Sequence, residues 1–205
     1  MKILGLDLST HVGYAILDDS KIAAHGTKHL EDIKIAEKVG DYRGHIPDYN
    51  IIADAKLIAE WIRLTILSYQ IDMVVIEQTN GGGFRTTQKQ LEFIHYAVLD
   101  MLWSEYQFDH LIVKYIDTSK WRQLVGIKMT KEQLKHNRKC TAGTAKGRVT
   151  KKHLAVAWAN EKYGLKLLKK DHDAAEAIAM AACGPSLIEK RVALTSVDNA
   201  LGIAK

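Results

Sequence analysis

The chain has 205 residues, 47% of them hydrophobic and 26% charged, which suits one compact domain with a substantial core. No apolar run approaches the roughly 20 residues of a membrane span, and the apolar N-terminal stretch is short and contains Asp7, so neither a membrane helix nor a secretory signal is expected. The net charge is +5. The two cysteines, Cys140 and Cys183, lack a metal-binding spacing, so a reducing, cytoplasmic setting is expected.

The first part of the chain predicts a three-stranded meander. Apolar residues alternate with polar ones between turn residues, which is typical of strands joined by short connections. The strands are predicted at 2–8, 12–18 and 20–29. The following stretch, 30–49, is polar and contains Gly40, Gly44 and Pro47, so we expect it to be irregular.

From residue 51 onward, helices and strands alternate. Apolar residues recur at helical spacing over 51–68 and 86–105, and the second helix is apolar over much of its circumference, as in a central helix or a subunit interface. Later elements are predicted strands at 72–77 and 111–116, a short helix between a cap at Asp117 or Thr118 and Gly126, and helices at 150–163 and 173–183. This order predicts an α/β domain with a mixed sheet.

Positive charge is concentrated in one segment, residues 128–152. It holds nine Lys and Arg residues and one Glu, a local charge of +8, whereas the rest of the chain sums to −3. Such a segment is either a surface for a polyanion or an ordinary solvated loop, and its composition alone favours neither.

Four acidic residues lie in or beside apolar elements. Asp7 is in the first strand, Glu77 ends the fourth, and Asp173 and Glu176 are three residues apart on one face of the last helix. Each has a structural alternative: Asp7 as a strand-end acceptor or turn cap, Glu77 as the partner of a surface lysine, and Asp173 with Glu176 as a capping box. A structural role is plausible for any one of these sites. It is less plausible that all three sites have only structural roles, because each lies on an otherwise buried element.

Carboxylates that cluster in an apolar setting require compensation. Like charges raise one another's pKa unless a cation is present, and a hard divalent ion with oxygen ligands is the usual cation. Two such ions in a carboxylate cluster form a phosphoryl-transfer site. Together with the basic segment, this chemistry points to a nucleic-acid substrate.

Several motifs carry a family resemblance. The stretch GLDLSTHVGYAIL resembles the first two strands of the RNase H-like (retroviral integrase) superfamily. VVIEQT resembles the fourth-strand Glu motif of RuvC-type Holliday junction resolvases, and DAAEAIA resembles their C-terminal helix motif. TSKWRQLVGI, followed by a lysine-rich run, resembles the segment that leads to their active-site lysine. The resemblance implies one RNase H-like nuclease domain over 1–184, with a basic insertion near 127–150 and a tail over 185–205.

The resemblance also implies roles for individual residues. Asp7, Glu77, Asp173 and Glu176 become metal-binding catalytic carboxylates, and Lys151 becomes the catalytic lysine, with Lys152 as the neighbouring alternative. Phe84 occupies a glycine-rich loop where the family places aromatic residues near the junction; a hydrophobic staple is an equal alternative. The implied DNA-binding residues are Phe84, Arg85, Lys131, Lys135, Arg138, Lys139, Lys146, Arg148 and Lys152.

The sequence departs from the family pattern in ways that indicate a divergent, phage-type member. Glu176 stands where the family usually has Asp, so Asp171 is a candidate additional metal contact, and the segment 127–150 is longer than usual. The polar loop 30–49 is also unusual for the family.

The function implied is a structure-selective endonuclease that nicks branched DNA, Holliday junctions above all, by phosphodiester hydrolysis. It would use two Mg²⁺ ions per site, with Mn²⁺ as a substitute, and act without a membrane in the cytoplasm of a prokaryotic cell. Two symmetric nicks imply a homodimer, for which the helix 86–105 is the candidate interface, with Ile94 and Val98 at its seam. Alternatives are another RNase H-like nuclease that cleaves RNA–DNA hybrids, an inactive nucleic-acid-binding module, and an ATPase of the actin and sugar-kinase class, whose phosphate loop GLDLST resembles.

Overall fold

The computed structural model of the protein describes residues 1–36, 47–78, 85–106, 111–140 and 147–200. Within these ranges, five strands form one sheet: β1 (Lys2–Asp7), β2 (His11–Asp18), β3 (Lys21–His29), β4 (Met73–Glu77) and β5 (Ile112–Ile116). The helices are α1 (Leu30–Ala36), α2 (Pro47–Tyr69), α3 (Arg85–Tyr106), α4 (Thr118–Leu124), α5 (Lys131–Lys139), α6 (Lys151–Tyr163) and α7 (His172–Ala200), and a 3₁₀ turn at Lys169–Asp171 precedes α7.

The sheet is mixed and has the strand order β3-β2-β1-β4-β5. The three strands of the meander pair antiparallel, whereas β1 pairs with β4, and β4 with β5, in parallel. Leu6 is paired with Ile76, so Asp7 and Glu77 follow at the same edge of the sheet. The predicted fold class, a mixed α/β sheet that begins with a meander, is confirmed.

Two hydrophobic cores cover the two faces of the sheet. Leu4 and Leu6 of β1 contribute to the core with α1, α2 and α3, whereas Ile3 contributes to the core with α4, α6 and α7. Because successive side chains of a strand alternate between faces, Asp7 shares the face of Ile3. The same alternation in β4 puts Glu77 on the face of Val75, which belongs to the second core. Both strand acids therefore face α7.

Two glycines let α7 lie directly on the sheet. A Cβ atom at Gly5 would be 2.2 Å from the carbonyl oxygen of Ala177, and one at Gly13 would be 2.3 Å from that of Asp173. Since Gly13 is the register partner of Asp7, this contact brings the start of α7 to the end of β1. A side chain at either glycine would lift the helix away from the strands.

Two predicted boundaries differ from the structure. Of the stretch 30–49, expected to be irregular, residues 30–36 form α1, and α2 begins at Pro47, a residue well suited to the first turn of a helix; residues 37–46 lie outside the described residues. The last helix, expected to end at residue 183, continues past Pro185 to Ala200. Leu187 and Ile188 pack against the second core, and this packing stabilises the helix beyond Pro185, where the sequence had predicted its end. The expected tail therefore begins inside α7.

The proposed seam of α3 is wrong. Ile94 and Val98 are fully buried in the chain's own core with α2, so neither is available to a second subunit. The exposed apolar residues of the helix are Tyr96, Leu99 and Trp103, of which Tyr96 is 68% and Trp103 61% exposed.

Among the helices that the structure describes, none has the length and apolar character needed to cross a membrane.

Candidate active site

Four acidic side chains converge where β1, β4 and α7 meet. Asp7 and Glu77 end neighbouring parallel strands, and Asp173 and Glu176 are in the first turns of α7. Burial, together with the negative charges of Glu77, Glu176 and Asp173, raises the pKa of Asp7 to about 8. All four acids singled out in the sequence thus act on one another electrostatically, as members of one cluster.

Glu77 is held by the start of α4. The Thr118 hydroxyl donates a hydrogen bond to Oε1 of Glu77, and this bond opposes the rise in the Glu77 pKa that burial and the Glu176 charge produce. Asp117 caps α4 by accepting a hydrogen bond from the Ser119 backbone N–H at 2.7 Å, which confirms one of the two predicted caps. The described contact of Glu77 is thus with a threonine hydroxyl, and the alternative of a surface lysine partner lacks support.

Glu176 is the most deeply buried acid of the cluster, 3% exposed. Its Oε1 accepts a hydrogen bond of 2.6 Å from Nη2 of Arg122, on α4. Sequence reasoning missed Arg122, because an arginine in a short polar helix carries no signal for its partner. The ion pair also replaces the capping-box alternative, since the Glu176 carboxylate is engaged with another helix.

A second cation lies beside Asp173. Nζ of Lys152 is 3.5 Å from Oδ1 of Asp173, and its positive charge lowers the pKa of Asp7. Lys151, the first choice from the sequence, is exposed, and the described part of the chain shows no ion pair between it and the acids. Adjacent residues of a helix point about 100° apart, so only one of them can face α7. Of the two candidate lysines, Lys152 is therefore the one that the structure places beside the acids.

His172 joins the cluster, and Asp171 does not. Nδ1 of His172 is 2.6 Å from Oδ1 of Asp173, and ligand atoms of His172, Asp173 and Glu176 all lie within 4.8 Å of one another. Asp171, the candidate additional metal contact, accepts a hydrogen bond of 2.8 Å from the Leu168 backbone N–H at the 3₁₀ turn. The sequence signal for His172 was only its place directly before Asp173.

Comparisons with known proteins identify the fold. No protein-family model and no curated protein sequence matches the chain. RuvC of Thermus thermophilus in complex with a Holliday junction substrate matches with a TM-score of 0.56 at 13% identity, covering 89% of this chain and 91% of that one. A second Thermus thermophilus RuvC structure matches with a TM-score of 0.55 at 12% identity, covering 89% and 92%. The yeast mitochondrial Holliday junction resolvase Ydc2 matches with a TM-score of 0.49 at 15% identity, covering 88% and 76%.

The chain has a RuvC-like fold. At these identities the similarity concerns the fold alone. The acids of this RuvC-like chain stand on β1, β4 and α7, which are the elements that the motif resemblance assigned to them.

The basic segment of the RuvC-like chain contains an ordered helix. A capping box between Thr130 and Gln133 begins α5. Further on, the Asn137 amide donates a hydrogen bond to the Val149 carbonyl at 2.8 Å and accepts one from the Val149 N–H at 2.9 Å. The segment is thus a helix tied to the chain that returns to α6. The exposed basic side chains of this unit include Lys131, Lys135, Arg138, Lys139 and Arg148.

The remaining predicted DNA contacts cannot be placed in the site. Phe84 and Lys146 lie outside the described residues, and Arg85 begins α3 with no described side chain. Among the described members of that set, Lys152, named for DNA binding as well, is the one that contacts the acidic cluster.

Proposed function

We propose that this protein is a metal-dependent endonuclease that nicks branched DNA, Holliday junctions above all, by phosphodiester hydrolysis. The convergence of Asp7, Glu77, Asp173 and Glu176 at one edge of a RuvC-like sheet carries the proposal. The similarity in fold to a RuvC protein that was solved with a Holliday junction substrate supports this choice of substrate. The nuclease domain would comprise residues 1–184.

The donor set of the cluster fits a hard divalent cation. Four carboxylates lie together, and burial with mutual repulsion raises the pKa of Asp7 to about 8, which marks a site short of positive charge. Carboxylate oxygens are the ligands that Mg²⁺, with Mn²⁺ as a substitute, prefers. Asp7, Glu77, Asp173 and Glu176 would hold two ions, with His172 beside them. Bound there, such ions supply an activated water and stabilise the leaving oxygen of the phosphodiester.

The chain's own residues would orient the reaction. The strand acids Asp7 and Glu77 are fixed by the sheet, and the Thr118 hydroxyl holds the Glu77 carboxylate. The Lys152 ammonium, beside Asp173 and half exposed, would place a positive charge next to the phosphate that is cut. Preorganised charge of this kind stabilises the additional negative charge of the transition state.

The basic segment would contact the DNA backbone. Lys131, Lys135, Arg138 and Lys139 follow one another along α5 at spacings of four, three and one residues, so they share one side of the helix. A stripe of exposed cations fits a row of phosphates, and the anchored geometry of α5 would give it a defined place on the DNA. Arg148, Arg85, Lys146 and Phe84 are the further proposed contacts.

A homodimer would supply the second nick. On α3, the exposed residues Tyr96, Leu99 and Trp103 form an apolar surface. A cavity of about 270 Å³ between α2 and α3, lined by residues that include Ile52, Phe93 and Tyr96, adjoins it. Apolar surface on one side of a helix is suited to a two-fold contact between identical chains. We therefore propose α3 as the dimer helix, through its exposed rather than its buried face.

The departures from the family pattern support a divergent, phage-type resolvase. Glu176 in place of the usual Asp, the long basic segment 127–150 and the polar stretch 30–49 are the features concerned. Such a protein would act in the cytoplasm of a prokaryotic host cell.

The test is a nicking assay with Mg²⁺ on four-way junction, flap, plain duplex and RNA–DNA hybrid substrates. Junction and flap should be nicked at the branch, and no cutting is expected with EDTA or with the Asp7→Asn variant. Preferred cutting of the hybrid would identify another RNase H-like nuclease instead. Binding of the junction without cutting in Mg²⁺ or Mn²⁺ would identify an inactive nucleic-acid-binding module. Hydrolysis of ATP by the protein would instead support the ATPase of the actin and sugar-kinase class.

A further inference from the structure

One face of α4 contacts two of the four acids. Thr118 and Arg122 are four residues apart on this helix and therefore on the same side. Thr118 donates to Glu77 of β4, and Arg122 donates to Glu176 of α7. A short helix thus joins carboxylates that come from a strand and from a different helix.

The Arg122–Glu176 pair is almost fully withdrawn from water. The side chains are 13% and 4% exposed, and the two atoms that form the pair are 2.6 Å apart. The guanidinium also lies 4.7 Å from the centre of the Trp121 ring, which is itself fully buried. Arg122 therefore has little freedom to turn away from Glu176, and a charge in such a setting is strongly destabilising when its partner is removed.

Positive charge is unevenly distributed over the cluster. Glu176 has Arg122 and Asp173 has Lys152, whereas in the part of the chain that the structure describes, Asp7 and Glu77 have no ion pair within 4.0 Å. Arg122 is the built-in cation nearest the deepest acid. A divalent ion that enters the cluster would act on the same negative charges that Arg122 now compensates.

We propose that Arg122 is a positioning residue, which holds the Glu176 carboxylate and compensates its charge so that the cluster stays assembled without metal. This inference rests on the proposed metal site and adds to it a residue that would act through the Glu176 carboxylate. Its consequence is an energetic coupling: the less Arg122 compensates, the more the fold must depend on the divalent cation.

The coupling is measured as the change in melting temperature between EDTA and saturating Mg²⁺. Arg122→Gln should melt lower than wild type in EDTA, and Mg²⁺ should raise its melting temperature by about 5 °C or more beyond the rise in wild type. Arg122→Lys, which keeps the charge, should bring the Mg²⁺ effect back to the wild-type value. The control is Arg63→Gln, because Arg63 pairs with Glu60 at 2.7 Å on α2, a helix that packs on the other face of the sheet.

In the control Arg63→Gln, the rise in melting temperature between EDTA and saturating Mg²⁺ should equal the rise in wild type. Equal Mg²⁺ effects in wild type and Arg122→Gln would overturn the inference and leave the metal site intact. No Mg²⁺ or Mn²⁺ effect on any variant, wild type included, would remove the proposed metal site and the inference with it. If Arg122→Gln does not fold in EDTA, its refolding from urea is measured with EDTA and with Mg²⁺. Refolding with Mg²⁺ but not with EDTA supports the positioning role of Arg122, whereas no refolding under either condition contradicts it.

Discussion

Gly13 and Asp173 are in direct backbone contact: a Cβ atom at position 13 would be 2.3 Å from the Asp173 carbonyl oxygen and 3.0 Å from its Cβ. Gly13 is also the register partner of Asp7. A single residue without a side chain thus sets the distance between the acid of β1 and the first acid of α7.

Substitution of Gly13 should damage the site more than the fold. Gly13→Ala forces the start of α7 away from β2, because the contact is with backbone atoms that cannot rotate aside. We expect a loss of roughly 1–3 kcal/mol of stability and a much larger loss of nicking rate. Gly26→Ala is the control, since the nearest atoms to its Cβ would belong to the Tyr14 side chain, at 3.1 Å, and not to backbone. Comparable nicking by Gly13→Ala and Gly26→Ala would contradict this role.

The raised pKa of Asp7 predicts how stability depends on pH without metal. Burial and the charges of the neighbouring acids raise this pKa from 3.8 to about 8, so between these values the folded protein binds more protons than the unfolded chain. The stabilisation is complete below about pH 4 and is lost as the pH rises through 8. With about 1.4 kcal/mol for each pKa unit, the loss is on the order of several kcal/mol.

Asp7→Asn is the variant that tests this dependence. In EDTA, urea unfolding at pH 5 and pH 8.5 should show a smaller loss of stability for Asp7→Asn than for wild type, because the group no longer titrates. The variant should be as stable as wild type or more stable near pH 8, and nicking should fall by orders of magnitude. Binding to branched DNA should persist or tighten, since one repelling charge is gone. Destabilisation at pH 8.5 would instead make Asp7 a structural acceptor.

The lysine pair at the start of α6 offers an internal comparison. Lys152 contacts Asp173 and Lys151 is exposed without such a contact in the described part of the chain. Lys152→Met should lower the nicking rate about 100-fold or more, as the loss of a preorganised charge does in other enzymes. Lys151→Met should change single-turnover nicking by less than about tenfold. If Lys151→Met lowered the nicking rate more than Lys152→Met, Lys151 would be the lysine of the active site.

Charge on the two faces of α3 should have opposite consequences. Trp103→Glu changes a residue that is 61% exposed and should give a folded monomer that no longer cuts in pairs. Ile94→Glu buries an ion in the chain's own core and should abolish folding. Light scattering and circular dichroism measure both outcomes. A wild type that is monomeric at micromolar concentration would end the proposal of an α3 dimer.

The cations of α5 should determine the salt dependence of DNA binding. Each phosphate contact contributes roughly 0.9 to the slope of log affinity against log salt. Changing Lys131, Lys135, Arg138 and Lys139 to Gln should therefore flatten the slope by about 2 to 4. Changing Lys21 and Lys56, which are exposed on β3 and α2, is the control and should leave the slope as in wild type. An unchanged slope in the α5 variant would make α5 an ordinary solvated helix.

The sequence by itself determined the elements and the acids. Alternating and helical patterns predicted all five strands and the α2, α3, α6 and α7 helices, because burial of one face leaves a period in the chain. Asp7 and Glu77 were recognisable since a charged residue within or at the end of a buried strand breaks that period. The motifs that surround them supplied the resemblance from which the fold was inferred.

Only the tertiary structure decided which side chains meet. Arg122 and Glu176 are 54 residues apart, and no periodicity relates two residues on different helices. Lys152 rather than Lys151 reaches the acids because the rotation of α6 about its axis is set by packing of Ala155, Val156 and Ala159. Likewise, an apolar helix such as α3 can bury either face, and contact with α2 selected the one that contains Ile94 and Val98. Local pattern specifies an element, whereas long-range packing specifies its orientation, and the chemistry of this site depends on orientation.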